Sequence, residues 1–214
     1  MTHPVIVITG ASRGIGRAVA EICLKTFNAN VLAIARTESD LNALKAYAEK
    51  ELNTNERVET VVGDVTEERV IDDAVDKCLK RWGRIDGLVI NAGVLEPMAT
   101  IADVNVGEWR QSKSALNMLI RCLAVEEPDI VAISISPGIV DTDMVTFIRT
   151  DGSKVMNEQD HKWFVDVHAS NQILSPEDPS HVIAALVVGG AKKEHSGEFY
   201  NWDVEAFAGF MRKK

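Results

Sequence analysis

A chain of 214 residues, 46% of them apolar and 26% charged, is long enough for one substantial hydrophobic core and short for two full domains. A formal net charge of −9 repels phosphate backbones and anionic membranes alike, so neither nucleic acid nor membrane is expected as a partner; Arg212, Lys213 and Lys214 are too few to reverse that field and read as a solvated helix end. Cys23, Cys78 and Cys122 are far apart, with no Cys-x-x-Cys and no histidine nearby, so the expectation is no metal, no disulfide, buried thiols and a reducing, cytoplasmic compartment.

The chain opens on VIVIT (5–9), a β-branched run far shorter than the core of a signal peptide and closed by a glycine, which predicts a buried strand. Gly10, Gly14 and Gly16 follow in TGASRGIG, and a helical period takes over across 14–27. The strand before and the helix after give that spacing its meaning. Gly10 permits the tight turn, Gly14 lets backbone approach a pyrophosphate, Gly16 lets helix and strand pack closely, and the helix start offers unpaired N–H groups to phosphate. The second predicted strand, NVLAIA (30–35), is followed by Arg36. An acidic residue at its end would hold the ribose hydroxyls of NAD and repel a 2′-phosphate. A guanidinium grips that phosphate, and Arg13 can close from the other side, so the pattern favours NADP as cofactor.

Further along, the periodicity predicts a helix over 38–52, a strand over 58–63, a helix over 67–82 and a strand over 85–91 that runs into Asn-Ala-Gly at 91–93. A helix over 112–126, a strand over 129–136, a helix over 177–188 and a strand over 197–203 complete the series. Such alternation predicts an α/β fold, a doubly wound parallel sheet in a single domain over 1–214. The stretch 141–176, charged and carrying the amphipathic HKWFVDVHA, follows the carboxyl end of a strand, where open α/β sheets place ligands. It is expected to be a mobile substrate flap.

Five motifs in order, TGASRGIG, the GDV at 63–65, NAG at 91–93, SKSALN at 112–117 and SPGIVDT at 136–142, resemble the classical short-chain dehydrogenase/reductase family from Val5 to Trp202. Within it, NAGVLEPMATIADV and SPGIVDTDM resemble fungal carbonyl reductases related to sepiapterin and benzil reductases. The resemblance implies a Rossmann fold and reduction of a small-molecule carbonyl by hydride from NADP. It implies cofactor contacts at Gly10, Ser12, Arg13, Gly14, Ile15, Gly16 and Arg36, with Asp64 and Val65 bordering the adenine. Asn91, Ala92 and Gly93 would support the cofactor beside the fourth strand, and Pro137, Gly138, Ile139, Val140 and Thr142 would meet the nicotinamide. Lys113 matches the family lysine that holds the ribose and lowers the pKa of a tyrosine four residues earlier.

That tyrosine is absent, since four residues before Lys113 stands Trp109, whose indole N–H cannot exchange a proton near neutral pH. Read forward from NAG, Trp109 matches a tryptophan that opens the family's next helix. The helix bearing the family's asparagine, the fifth strand with its serine, and the loop carrying the tyrosine should follow, and none does. Against a single α/β domain of about 250 residues, roughly forty are missing between Arg110 and Gln111. Tyr47 and Tyr200, the only tyrosines, have the wrong spacing, Asn105 precedes Trp109, and Ser112, Ser114, Ser134 and Ser136 lack a tuned base. The shortened order is still a legal βαβ unit, so the last two strands are expected to close up against the fourth in a sheet one strand and one helix short. Two functions follow: a carbonyl reductase impaired by loss of its serine and tyrosine, or a non-catalytic NADP-binding protein. The family's homo-oligomer interface, which uses the Lys113 helix and the missing one, is expected to be disrupted, exposing Ala115, Leu116, Leu119 and Leu123.

Overall fold

The first two strands are buried along their whole length, as nearly unbroken apolar runs require: a strand covered on both faces has no polar side to show. The structure is a computed structural model and describes residues 3–93, 113–170 and 172–212. Its elements are β1 (Val5–Thr9), α1 (Gly14–Lys25), β2 (Asn30–Ala35), α2 (Glu38–Leu52), β3 (Val58–Val62), α3 (Glu68–Trp82), β4 (Gly87–Val89), α4 (Lys113–Glu126), β5 (Ser134–Ser136), α5 (Asp143–Asp151), α6 (Glu158–Ala169), α7 (Glu177–Ala185) and β6 (Phe199–Asn201). Short 3-10 turns join several of them.

Two compact units emerge. The first comprises Met1–Ala92, Glu177–Lys192 and Asp203–Lys214, the second Gly93–Pro176 and Lys193–Trp202. In the first, an all-parallel sheet has the order β3-β2-β1-β4, with Val7 paired to Leu32 on one side and to Leu88 on the other. Side chains alternate across it. Ile6, Ile8, Val31, Ala33 and Ala35 pack on Val19, Cys23 and Leu24 of α1, Leu41 and Leu44 of α2, and Ala184 of α7, while Val5, Val7, Leu32 and Ile34 pack on Val70, Ala74 and Cys78 of α3. Helices thus cover both faces, as doubly wound topology demands. Gly83 ends α3 with φ +74°, a left-handed conformation that costs glycine least.

In the second unit β5 pairs in parallel with β6, Ile135 opposite Tyr200. The α/β class and the order of the expected elements agree with the sequence, while α5 and α6 form within 141–176, where only a flap was expected; the expected single closed sheet is not found: among the described residues the ladder from β3 ends at β4, and β5 and β6 form a sheet of their own. The strands near this break are also shorter than the apolar runs suggested, three residues each. A strand lasts only as far as a partner accepts its hydrogen bonds, and among the described residues β4 has β1 alone. Leu88 is accordingly 54% exposed and Ile90 42% exposed. No described helix is long and apolar enough to cross a membrane.

Candidate functional site

The turn between β1 and α1 is built for close approach. Gly10 and Gly14 have φ of +66° and +55°, and a Cβ on Gly16 would stand 2.3 Å from the Gly10 carbonyl oxygen, so only glycine lets α1 fold back onto the turn. Arg13 occupies the N-cap position without capping the helix through its side chain, and no acidic residue sits in the first turn, which keeps the positive end of the helix dipole facing outward.

Asn91 braces this turn from the end of β4. Its Nδ2 donates to the carbonyls of Thr9 (3.1 Å) and Gly10 (3.2 Å), and the backbone N–H groups of Asn91 and Ala92 each donate to Thr9 Oγ1 at 3.0 Å. Thr9 thus ties the turn to the residues after β4, a positioning role that sequence reasoning passed over. The only signal was one hydroxyl closing an apolar strand. Ser180, fully buried on α7, was likewise missed; its hydroxyl donates to the Ile15 carbonyl and ties α7 to the start of α1.

Arg36 lies exposed just past the end of β2, and Asp64 lies just past β3. The Asp64 carboxylate accepts hydrogen bonds from the Thr66 backbone N–H (3.0 Å) and Oγ1 (2.8 Å); these hold its pKa below the ordinary carboxylate value, and the Arg36 charge adds to the effect. Val65 packs partly buried on the α3 side of the sheet, and Ile15 on the opposite face. Gly10, Ser12, Arg13, Gly14, Ile15, Gly16, Arg36, Asp64, Val65, Asn91 and Ala92 thus all lie at or just beyond the carboxyl ends of parallel strands in one unit.

The other expected residues belong to the second unit. Gly93 is exposed. Pro137 to Thr142 leave the end of β5 in a clamped turn: Leu174 N–H donates to the Ile139 carbonyl, Asp141 N–H returns a bond to Leu174, and Trp202 N–H donates to Ser136. Gly138 has φ +74°, Val140 is buried, and Thr142 is the N-cap residue of α5. Lys113 begins α4 by its backbone; its side chain, and Trp109, Arg110, Gln111 and Ser112, lie outside the described residues.

Neither tyrosine is placed as a proton donor. Tyr47 lies under the Arg17 guanidinium, 5.9 Å from ring centre to Cζ, with its pKa raised by burial and by Glu21 and Glu51. Tyr200 stacks edge-on against the buried His195 ring at 5.8 Å. Burial pushes Cys23 up to about 12 and Cys78 up to about 11, so both are inert thiols, but Cys122 is exposed on α4, contrary to expectation. It shares that helix with Met118, Leu119 and Val125, all exposed. A cavity of about 420 Å³ lined by His3, Arg84, Asp86 and Val187 sits at the amino ends of β1 and β4, away from the glycine turn.

Comparison with known proteins matches residues 4–112, just over half the chain, to the short chain dehydrogenase family. An uncharacterized oxidoreductase of Schizosaccharomyces pombe is 32% identical over 247 positions, covering 92% of this chain and 96% of that protein. The benzil reductase ((S)-benzoin forming) of Saccharomyces cerevisiae is 28% identical, covering 94% of this chain and 96% of its own length. A solved short chain dehydrogenase/reductase from Saccharomyces cerevisiae superposes with a TM-score of 0.90 at 31% identity, over 98% of this chain and all of that one.

Proposed function

The chain belongs to the short chain dehydrogenase family, a family of NAD(P)(H)-dependent oxidoreductases, and from that premise we propose that it binds NADP(H) in preference to NAD(H) but turns over carbonyl substrates poorly or not at all. The observation that carries the second half is a length mismatch. The alignment with the Schizosaccharomyces pombe oxidoreductase spans 247 positions, yet 92% of 214 residues is about 197, so about 50 aligned positions have no counterpart here. The family match also stops at residue 112, beside the Arg110–Gln111 junction. The tyrosine, serine and asparagine that the family uses belong to that interval.

The glycine turn fits a pyrophosphate, since Gly10 and Gly14 take left-handed backbone at a helix start that carries no side-chain cap, and Arg36 fits a 2′-phosphate. Bound NADPH supplies the hydride. The chain's own part is to hold the cofactor through the turn, Arg36, Asp64 and Asn91, with Lys113 on the ribose and Pro137 to Thr142 against the nicotinamide. A proton donor for the substrate oxygen is missing from that set, and general acid catalysis contributes about 10²- to 10⁴-fold. On this reading the protein acts in the cytoplasm as a single nucleotide-binding domain, with 141–176 as its substrate flap, and the family's homo-oligomer interface is disrupted.

The test is NADPH oxidation by the purified chain with a diketone such as benzil. The expected rate is at least 10²-fold below that of an intact relative assayed alongside. Turnover at the relative's rate would favour the second reading, a working NADP-dependent carbonyl reductase with an unrecognised acid.

A further inference from the structure

We propose that the first unit carries a docking site for an amphipathic helix of another protein. That helix lies antiparallel to α3 and across β4, with its apolar face inward and Lys or Arg at its carboxyl-terminal end.

Helix α3 has three distinct sides. Val70, Ala74 and Cys78 are buried against the sheet. On one flank Lys77 and Arg81 reach to β3, where Lys77 Nζ stands 3.2 Å and Arg81 Nε 3.9 Å from the Glu59 carboxylate. Ile71, Val75 and Leu79, each four residues after the last, line the other flank; the first two are 38% exposed and Leu79 is 47% exposed. In a sheet of order β3-β2-β1-β4, a flank turned away from β3 is turned toward β4. Leu88 of β4 is paired with Val7, whose side chain packs on the α3 side, so Leu88 projects from that same face, and it too is exposed. Single apolar residues on a surface mean little. Four large ones lining one angle between a helix and a strand make a continuous band, which marks a binding surface.

Doubly wound sheets carry helices side by side with axes about 8–10 Å apart, so a helix laid on β4 beside α3 meets Leu88 and the α3 flank together. A strand added to the edge of β4 would leave Ile71, Val75 and Leu79 in water. Charge then sets the direction and composition of the partner. Glu68 and Asp72, at the amino end of α3 on the outer side of the band, are exposed and form no ion pair among the described residues, whereas Asp76 and Lys80 further along neutralise each other. An antiparallel helix brings its carboxyl end to those two carboxylates. Its own dipole favours cations at that end, and Glu68 and Asp72 favour them again. The chain's net charge of −9 adds attraction at longer range.

Fluorescence anisotropy of labelled helical peptides titrated with the full chain tests the site. One designed peptide carries leucines at i, i+3, i+4 and i+7 and lysines in its carboxyl-terminal turns. A second has glutamates in place of those lysines, and a third keeps the lysines but has serines for the leucines. The expected result is saturable one-to-one binding of the first, about tenfold or more tighter than either of the others. Val75→Asp should weaken it by about tenfold or more, and Leu119→Asp on α4 should leave it unchanged. Glu68→Lys combined with Asp72→Lys, both at exposed positions, should reverse the order of the lysine and glutamate peptides, a change that misfolding cannot produce. Equal binding of the serine peptide would reduce the effect to attraction by net charge, and equal binding of the glutamate peptide would remove the charge match; either overturns the proposal. It is likewise overturned by no saturable binding of the first peptide, by loss of binding through Leu119→Asp in place of Val75→Asp, or by an unchanged order of peptides in the double lysine variant.

Discussion

At the carboxyl end of β2 a guanidinium stands in solvent, with the Asp64 carboxylate near enough to feel its charge. Because a charged hydrogen bond to phosphate becomes a repulsion when the sign is reversed, Arg36→Asp should lower NADPH affinity by about tenfold or more and raise that for NADH. Fluorescence titration with both cofactors checks the inversion. The Asp64 carboxyl sits below its ordinary pKa in the folded chain, so it stabilises the fold above the ordinary carboxylate range, and that contribution disappears as pH falls through the depressed value. Asp64→Asn should therefore be modestly less stable than the parent at pH 7 and equal to it at strongly acid pH, as read from urea unfolding at each. The glycine turn was legible in the sequence because the positive φ of Gly10 and Gly14 is a property of their own backbone, and the place of Arg36 just past β2 was legible because that strand is written in its own residues. Thr9 was not, because its role depends on Asn91, 82 positions later, and no local pattern announces a hydroxyl that two distant N–H groups will use.

Helices were easier to place than strands, again for a physical reason. The 3.6-residue period of α2 and α3 is written in their own residues, and their observed limits lie within a residue of the expected ones. A strand needs a neighbour, and the runs at 85–91, 129–136 and 197–203 shrank to three residues each where neighbours are few. The same shortage explains the thiols. Cys23 and Cys78 face a packed sheet with pKa values far above neutrality, whereas Cys122 lies on the exposed side of α4. A maleimide at pH 7 should label one cysteine per native chain, located to Cys122 by peptide mapping, and all three only after denaturation. Rapid labelling of Cys23 in the native protein would contradict the packing of α1 described above.

Among the described residues, the two units carry separate reporters, with Trp82 in the first and Trp163 and Trp202 in the second. If the family's oligomer interface is disrupted as proposed, the exposed apolar residues, Leu88 and Ile90 on one unit and Met118, Leu119 and Val125 on the other, are expected to give loose self-association instead of a defined dimer. Leu88→Lys combined with Leu119→Lys should shift light scattering toward monomer with little change in thermal stability, since exposed positions carry little packing energy. A tetramer that survives both changes would show that these faces are not what associates. The first unit also completes its core late. Ala184 of α7 packs against the first face of the sheet, Ser180 bonds to Ile15, and Phe207, near the carboxyl end, is fully buried. In order of synthesis, then, the strands made first must wait for Ala184, 149 to 179 positions downstream, before their hydrophobic face is sealed. During translation the nascent β1 and β2 are open to chaperones for almost the entire passage of the ribosome, and a stop codon before Glu177 would leave the nucleotide half without the helix that closes it.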